Sequence, residues 1–231
     1  MEQILILTGA GVSQESGIAV FRGAKGLWAE HKIEDVCSVE AFTKDRDRVN
    51  SFYDERRLEL ERAEPNLAHK VLTKLKNKYP DKIAMITQNV DDLLERAGCK
   101  DVLHLHGTLL DLRCESCSHV FNIGFREQKS DEVCPECGSF RIRHNVVMFG
   151  EQAPQYQLLD KVANSAEMLI VIGSSGQVLP IAWMAQWFEK SILNNLDPDE
   201  NLDSHFKRVI HKKATEAILE IEQEIESFLS S

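Results

Sequence analysis

Four cysteines fall in two tight pairs, Cys114-Glu115-Ser116-Cys117 and Cys134-Pro135-Glu136-Cys137. Each C-x2-C turn aims two thiolates at one point, and two such turns complete the tetrahedron that zinc prefers. Gly138 follows the second pair and permits a tight backbone there. Four protein ligands leave no open position, so a zinc ion held here is expected to be structural. The bland alternative is four unrelated core cysteines. Paired turns in a polar, turn-rich segment argue against it. Cys37 and Cys99 lack a paired neighbour in sequence and are expected to be buried free thiols.

A second group of chemically able residues follows short apolar runs. Ile4-Leu5-Ile6-Leu7 leads into Thr8-Gly9-Ala10-Gly11, with Ser13 or Ser16 placed to cap a helix. Glycines at such a turn let a pyrophosphate approach backbone N–H groups at a helix start. The dinucleotide fingerprint is incomplete, because Gln14 stands where its third glycine would be and the next glycine is Gly17. Taken alone, the loop is as readily an ordinary strand–helix turn. Its company matters more. Gln88-Asn89-Val90-Asp91, His106-Gly107 and Gly173-Ser174-Ser175 also follow apolar runs. Ligands of open parallel sheets bind outside the carboxyl ends of the strands. A histidine beside a glycine there is either a structural hydrogen bonder or a base, and four converging polar clusters favour a base at His106.

These clusters need a scaffold to bring them together. Ile4–Leu7, Lys82–Thr87, Val102–His106 and Met168–Ile172 read as buried strands. Helical stretches are expected at Asn66–Lys78, Asp91–Ala97, Gln155–Ala166, Ile181–Lys190 and Ala214–Leu229. The last carries Ile218, Ile221, Ile225 and Leu229 on one face. Alternating strand and helix argue for an α/β fold, a Rossmann-like doubly wound parallel sheet with a smaller zinc-binding and helical module inserted. The expected division is 1–24, 60–112 and 144–231 for the nucleotide-binding domain. The helical stretch 25–59 and the cysteine-rich stretch 113–143 are the insertions that form the small domain.

The chain has 231 residues, 43% of them hydrophobic and 28% charged, which suits a folded α/β protein. A formal net charge of −10 disfavours general nucleic-acid or membrane-surface binding. No apolar run reaches transmembrane length, and the N-terminus lacks the pattern of a secretory signal. A cytoplasmic monomer is the resulting expectation, in a compartment where clustered cysteines bind metal rather than form disulfides.

Read in order, the motifs resemble those of the sirtuin family. They are Gly9-Ala10-Gly11-Val12-Ser13, Glu15-Ser16-Gly17-Ile18, Phe21-Arg22-Gly23, Thr87-Gln88-Asn89-Val90-Asp91 and His106-Gly107. The four cysteines follow, then Val146-Val147-Met148-Phe149-Gly150-Glu151 and Gly173-Ser174-Ser175 with Val178 and Pro180. The resemblance implies an NAD-dependent protein-lysine deacylase that consumes NAD and carries one structural zinc. NAD would lie across Gly9, Ala10, Gly11 and Ser13 and across Gly173, Ser174 and Ser175, with Asn195 at the adenine ribose. Phe21, Arg22, Gln88, Asn89 and Asp91 would serve its nicotinamide end. The acyl-lysine oxygen would attack the ribose as nicotinamide leaves. His106 would then act as general base on a ribose hydroxyl, and hydrolysis would yield O-acyl-ADP-ribose. A peptide would add as a strand near Phe149, Gly150 and Val178.

Tyr53-Asp54-Glu55-Arg56, with Ala24 after Phe21-Arg22-Gly23, is similar to the pattern of the desuccinylase/deacetylase branch. It implies a guanidinium fork and a phenol for an acidic acyl chain, with Ala24 leaving room. Helix periodicity alone would make Arg56 one solvated charge. The same fold also admits a protein mono-ADP-ribosyltransferase or a non-catalytic NAD or ADP-ribose sensor. Against the family pattern, His144 replaces a usual proline and Met148 a common tryptophan. Ala19-Val20 replaces Pro-Thr, and no glycine turn separates Pro180 from Asn195.

Overall fold

The computed structural model describes residues 3–19 and 33–230. Phe21, Arg22 and Ala24, three residues expected at the site, lie outside the described residues.

The first apolar run forms β1 (Ile4–Thr8), and every one of its residues is buried. Successive side chains of a strand point to opposite faces. Ile4 and Ile6 therefore join one apolar cluster, and Leu5 and Leu7 join another on the far side. A strand buried on both faces has to be apolar throughout, and that needs helices on both sides of the sheet. The sheet also contains β2 (Ile83–Thr87), β3 (Val102–His104), β7 (Met168–Ile172), β8 (Lys190–Asn195) and β9 (Arg208–His211). All six strands are parallel, in the order β3-β2-β1-β7-β8-β9. The order reverses direction between β1 and β7, which opens a crevice at the carboxyl ends of those two strands.

The helices before β1's partner strands are α1 (Ile33–Val36), α2 (Val39–Lys44), α3 (Arg46–Arg62) and α4 (Leu67–Lys78). Further on come α5 (Leu93–Arg96), α6 (Tyr156–Ala163), α7 (Ile181–Ala185), α8 (Glu200–Asp203) and α9 (Ala214–Leu229). One face of the sheet is covered by α4 and α9, with Leu72, Leu75, Ile218, Ile221 and Ile225 fully buried between them and the strands. Lys74–Glu222 and Lys78–Glu226, each 2.8 Å, cross the outside of that helix pair. Such exposed pairs contribute little beside the apolar contacts. The other face carries α6 and α7 with Leu159, Ile181, Met184 and Phe188.

The cysteine-rich stretch contributes to a separate antiparallel sheet of β4 (Gly107–Cys114), β5 (Val120–Asn122) and β6 (Ile142–Val146), in the order β5-β4-β6. Helices α1 to α3 pack against it through Phe42, Val49, Phe52, Tyr53, Leu109 and Met148. Arg46 bonds Glu115 at 2.8 Å and the Ile142 carbonyl at 2.7 Å, tying the helical and cysteine-bearing parts together.

Several local expectations need correction. The stretch Ile181–Lys190 is helical only as far as Ala185, and Lys190–Asn195 is a strand. The run Val102–His106 is strand only to His104, so His106 falls at the turn before β4. Strand β9 falls outside the four apolar runs expected to form strands. Two short 3-10 turns, Ala10–Val12 and Gln14–Ser16, replace the helix expected after the first glycine loop, and the Ser13 side chain caps neither.

Candidate active site

The two glycine loops touch at the crevice. Gly11 N–H donates to the Gly173 carbonyl at 2.9 Å. A Cβ on Gly9 would lie 2.7 Å from that carbonyl oxygen, and a Cβ on Gly173, whose φ is +68°, would lie 2.5 Å from the Val12 nitrogen. Both contacts are with backbone atoms, which no side-chain rotation can move aside. Gly173→Ala is therefore expected to destabilise the fold by about 1–3 kcal/mol and to weaken NAD binding, read by thermal melts and calorimetry. Ser174 gathers the neighbouring strand ends. Its hydroxyl accepts from Gln88 Nε2 at 2.9 Å, and its carbonyl accepts from Asn195 Nδ2 at 2.9 Å. Asn195 thus reaches the carboxyl edge of the sheet even though the connection from Pro180 is short and lacks a glycine turn. Ser175 is exposed beside it.

Ser13 is buried for a different reason from capping. Its hydroxyl donates to Asp91 Oδ2 at 2.8 Å and accepts from Asn89 Nδ2 at 3.1 Å. His69 Nε2 lies 3.3 Å from the same oxygen. The Asn66 backbone N–H can only donate, and it bonds His69 Nδ1 at 3.2 Å, so Nε2 carries the ring proton and donates to Ser13. Burial pushes His69 down to about 4, which keeps it neutral. Burial also raises the Asp91 carboxyl, while the Ser13 and Leu93 donors oppose that rise. Every polar atom of Ser13 is engaged, so the cluster is rigid before any ligand arrives. Asn66 caps α4 and holds the loop as well, donating to the Val12 carbonyl at 2.8 Å and to Ser16 Oγ at 3.0 Å.

His106 stands at the turn between the two sheets. Gly107 allows that turn with φ +80°, since a Cβ there would meet the Asn145 carbonyl at 1.9 Å. His106 Nδ1 donates to the Gln88 carbonyl at 2.9 Å, which leaves the lone pair on Nε2. Burial holds its pKa below the ordinary imidazole value, against the opposing pull of the Gln88 carbonyl. Nε2 faces a cavity of about 240 Å³ bordered by Gln88, Met148, Phe149, Gly150, Tyr156 and Val178. A smaller cavity of about 60 Å³ is bordered by Ala10, Ser13, Asn89, Asp91 and Arg56. Tyr53 and Val90 border both. Of the expected residues, Ala10, Ser13, Asn89, Asp91 and Arg56 border the smaller space and Gln88, His106, Phe149, Gly150 and Val178 the larger, whereas Gly9, Gly11, Gly173, Ser174, Ser175 and Asn195 border neither.

Tyr53 and Arg56, the pair expected at an acyl pocket, are held from behind. Tyr53 is buried, shares a hydrogen bond with the Cys37 thiol and packs on Phe52 and His144. Burial pushes that thiol up to about 11, so it stays protonated. Arg56 reaches the smaller cavity with Nη2 2.7 Å from Glu59. Arg57, the next residue, turns inward and is fully buried. It donates to the Leu109 carbonyl at 2.6 Å, pairs with Asp54 at 2.6 Å, and lies 2.7 Å from His144 Nδ1. Burial pushes His144 down to about 3, so the neutral ring accepts from Arg57. The histidine that replaces a usual proline thereby anchors α3 to β6.

The four cysteines converge as their spacing predicts. Cys114 and Cys137 sulfurs are 3.6 Å apart, as are those of Cys117 and Cys134, and all four lie within 4.8 Å of one another. Zn–S bonds of about 2.3 Å give a tetrahedral edge of about 3.8 Å. The set fits zinc, and among the described residues no fifth ligating side chain joins it. Among the described residues, it is the group of metal-ligating side chains that comes together.

A family model described as Sir2 family matches residues 9–180, a span that includes both glycine loops, His106 and the four cysteines. The chain belongs to the Sir2 family. This Sir2 chain is 48% identical over 229 residues to an NAD-dependent protein deacylase of Campylobacter jejuni strain RM1221, covering 99% of the chain and 98% of that relative. A mutant Sir2 homologue in complex with ADP-ribose superposes with a TM-score of 0.86 at 36% identity, over 99% of this chain and 93% of that one. A Sir2 mutant with deacetylated p53 peptide and 3′-O-acetyl ADP-ribose gives 0.81 at 31% identity, over 96% and 93%. Sequence reasoning about this Sir2 chain missed His69, Arg57 and Tyr156. The signal for His69 was its place three residues after a helix-capping asparagine.

Proposed function

We propose that this chain is an NAD-dependent protein-lysine deacylase acting on acetyl groups and on short acidic acyl groups. The observation that carries the reading is the pair of adjoining cavities. One is bordered by the prearranged Ser13–Asn89–Asp91 cluster, and the other by His106, whose Nδ1–H is committed to the Gln88 carbonyl. The names of the relatives support the activity, and the peptide in a related Sir2 complex supports a protein substrate.

NAD, when bound, supplies the ribose carbon that receives the acyl oxygen, with nicotinamide as leaving group. The Gly9–Ser13 and Gly173–Ser175 loops bring their backbones together at the sheet's switch point, where a pyrophosphate is held in folds of this kind. Asn89 and Asp91 present amide and carboxylate groups beside the smaller cavity, suited to a carboxamide. His106 accepts a proton at Nε2 from a ribose hydroxyl, and the Gln88 carbonyl keeps its tautomer correct for that transfer. Phe149, Gly150 and Val178 line the route of the peptide. Among the described residues, no helix is long and apolar enough to cross a membrane.

Acyl choice rests with Tyr53 and Arg56. A succinyl or malonyl carboxylate would displace Glu59 from the guanidinium of Arg56 and gain a charge-assisted pair. Arg56→Met is expected to reduce desuccinylation by about 2–5 kcal/mol in kcat/KM and to leave deacetylation much less affected. Nicotinamide release from acetyl- and succinyl-lysine peptides, measured side by side for both proteins, decides this. Equal loss on the two substrates would remove Arg56 from acyl recognition. Absence of nicotinamide release by the wild type on both peptides would remove the deacylase reading itself.

A further inference from the structure

His106 has a neighbour for which the mechanism above has no role. Tyr156, the first residue of α6, places its hydroxyl 3.0 Å from His106 Nε2, with the ring centroids 6.0 Å apart. Because Nδ1 donates to the Gln88 carbonyl, Nε2 is the acceptor and the phenol is the donor. Burial raises the Tyr156 pKa, which keeps the phenol protonated and able to donate. The Gln88 bond already fixes the plane and tautomer of the imidazole. What Tyr156 adds is occupation of the lone pair that a base needs. Both side chains border the larger cavity, together with Phe149 and Val178. A chain entering past those residues therefore meets the phenol and the imidazole together.

We propose that Tyr156 is a positioning residue that caps the general base: its hydroxyl holds Nε2 of His106 in the substrate-free enzyme and yields that nitrogen to the ribose hydroxyl once acyl-lysine occupies the cavity. The inference rests on the deacylase reading, since it gives Nε2 its partner in the reaction. Exchanging one hydrogen bond for another makes the cap weakly opposed to substrate binding. A neutral hydrogen bond of this kind alters an equilibrium by about 2–10-fold.

Tyr156→Phe keeps the ring and removes the hydroxyl. With saturating NAD at about pH 8, where imidazole is neutral, KM for an acyl-lysine peptide is expected to fall by about 2–10-fold. The rise in kcat/KM is carried by KM. An unchanged or raised KM, or a gain carried by kcat, would overturn the cap; a packing role for the ring predicts no change. Nitrogen-15 spectra of the ligand-free protein provide a readout independent of turnover. The unprotonated Nε2 resonance of His106 moves in the variant toward that of a free imidazole nitrogen, while Nδ1 stays protonated. A stationary Nε2 resonance would overturn the cap as well. If the wild type turned over no acyl-lysine peptide, the deacylase reading would fail. An active wild type with an indistinguishable variant overturns the cap alone.

Discussion

Replacing His106 by alanine is expected to lower the deacylation rate by about 10²–10⁴-fold, the contribution of one well-placed general base. The argument is geometric first. The imidazole is half-buried at the turn after β3, its Nδ1–H is committed to the Gln88 carbonyl, and Nε2 faces the larger cavity. Asn66, His69 and Ser13 are untouched by the substitution, so NAD should still bind, and calorimetry can separate lost binding from lost chemistry. The pH profile follows from the same group. A base acts only when unprotonated, and burial lowers this imidazole's pKa. Activity is therefore retained through neutral pH and lost as pH falls, with the acid limb of kcat/KM centred below about 6.5. A limb centred above that value would mean that a different group, or a charged neighbour, controls the step.

Removing the metal is expected to have the second large effect, on stability rather than on chemistry. Structural zinc contributes on the order of 10–16 kcal/mol in small isolated modules at neutral pH. Here the cysteine ends of β4 and the turns beside them rest on a small apolar group of Leu112, Ile123 and Ile142. A core of that size does not hold the two cysteine turns and β5 by itself. Elemental analysis should find one zinc per chain. Chelation should then abolish hydrogen-exchange protection across 107–146 while the parallel sheet keeps its own. Because Arg57 bonds the carbonyls of Leu109 and Arg126, and Arg46 bonds Glu115, the loosening should pass to α3. Acyl selectivity should blur with it, since Tyr53 and Arg56 ride on that helix. Retained exchange protection after verified zinc loss would refute the structural role.

What was legible in the sequence is what local spacing determines. Two C-x2-C turns carry their own geometry, and the four sulfurs meet as expected. β1, β2 and β7 are short runs buried on both faces, and burial of that kind needs an unbroken apolar string. The C-terminal helix declared its inner face through Ile218, Ile221 and Ile225. The failures have a common cause as well. Ser13 reads as a cap until its hydroxyl meets Asp91 from a strand end far along the chain. Lys190 reads as the last residue of a helix, yet β7 and β9 on either side make Lys190–Asn195 a strand. Arg57 reads as one more charge on a Glu/Arg-rich helix, and the Leu109 carbonyl and His144, brought in by the second sheet, help explain its burial. Residues whose partners lie far along the chain carry no local mark.

The strand order also bears on how the protein is made. β1 sits in the middle of the parallel sheet, and Ile4 pairs on one side with Ile83 and on the other with Met168. On a ribosome adding about 5–20 residues per second, the first strand waits about 8–33 s for its second neighbour. During that interval one edge of a strand that is apolar from Ile4 to Leu7 is open, the kind of edge that recruits other chains. Holding it safe falls to α4, which is synthesised early and packs on the Ile4–Ile6 face, and to whatever binds nascent apolar chains in the cell. The arrangement that creates the nucleotide crevice therefore also makes the nascent chain depend on protection until Met168–Ile172 emerges.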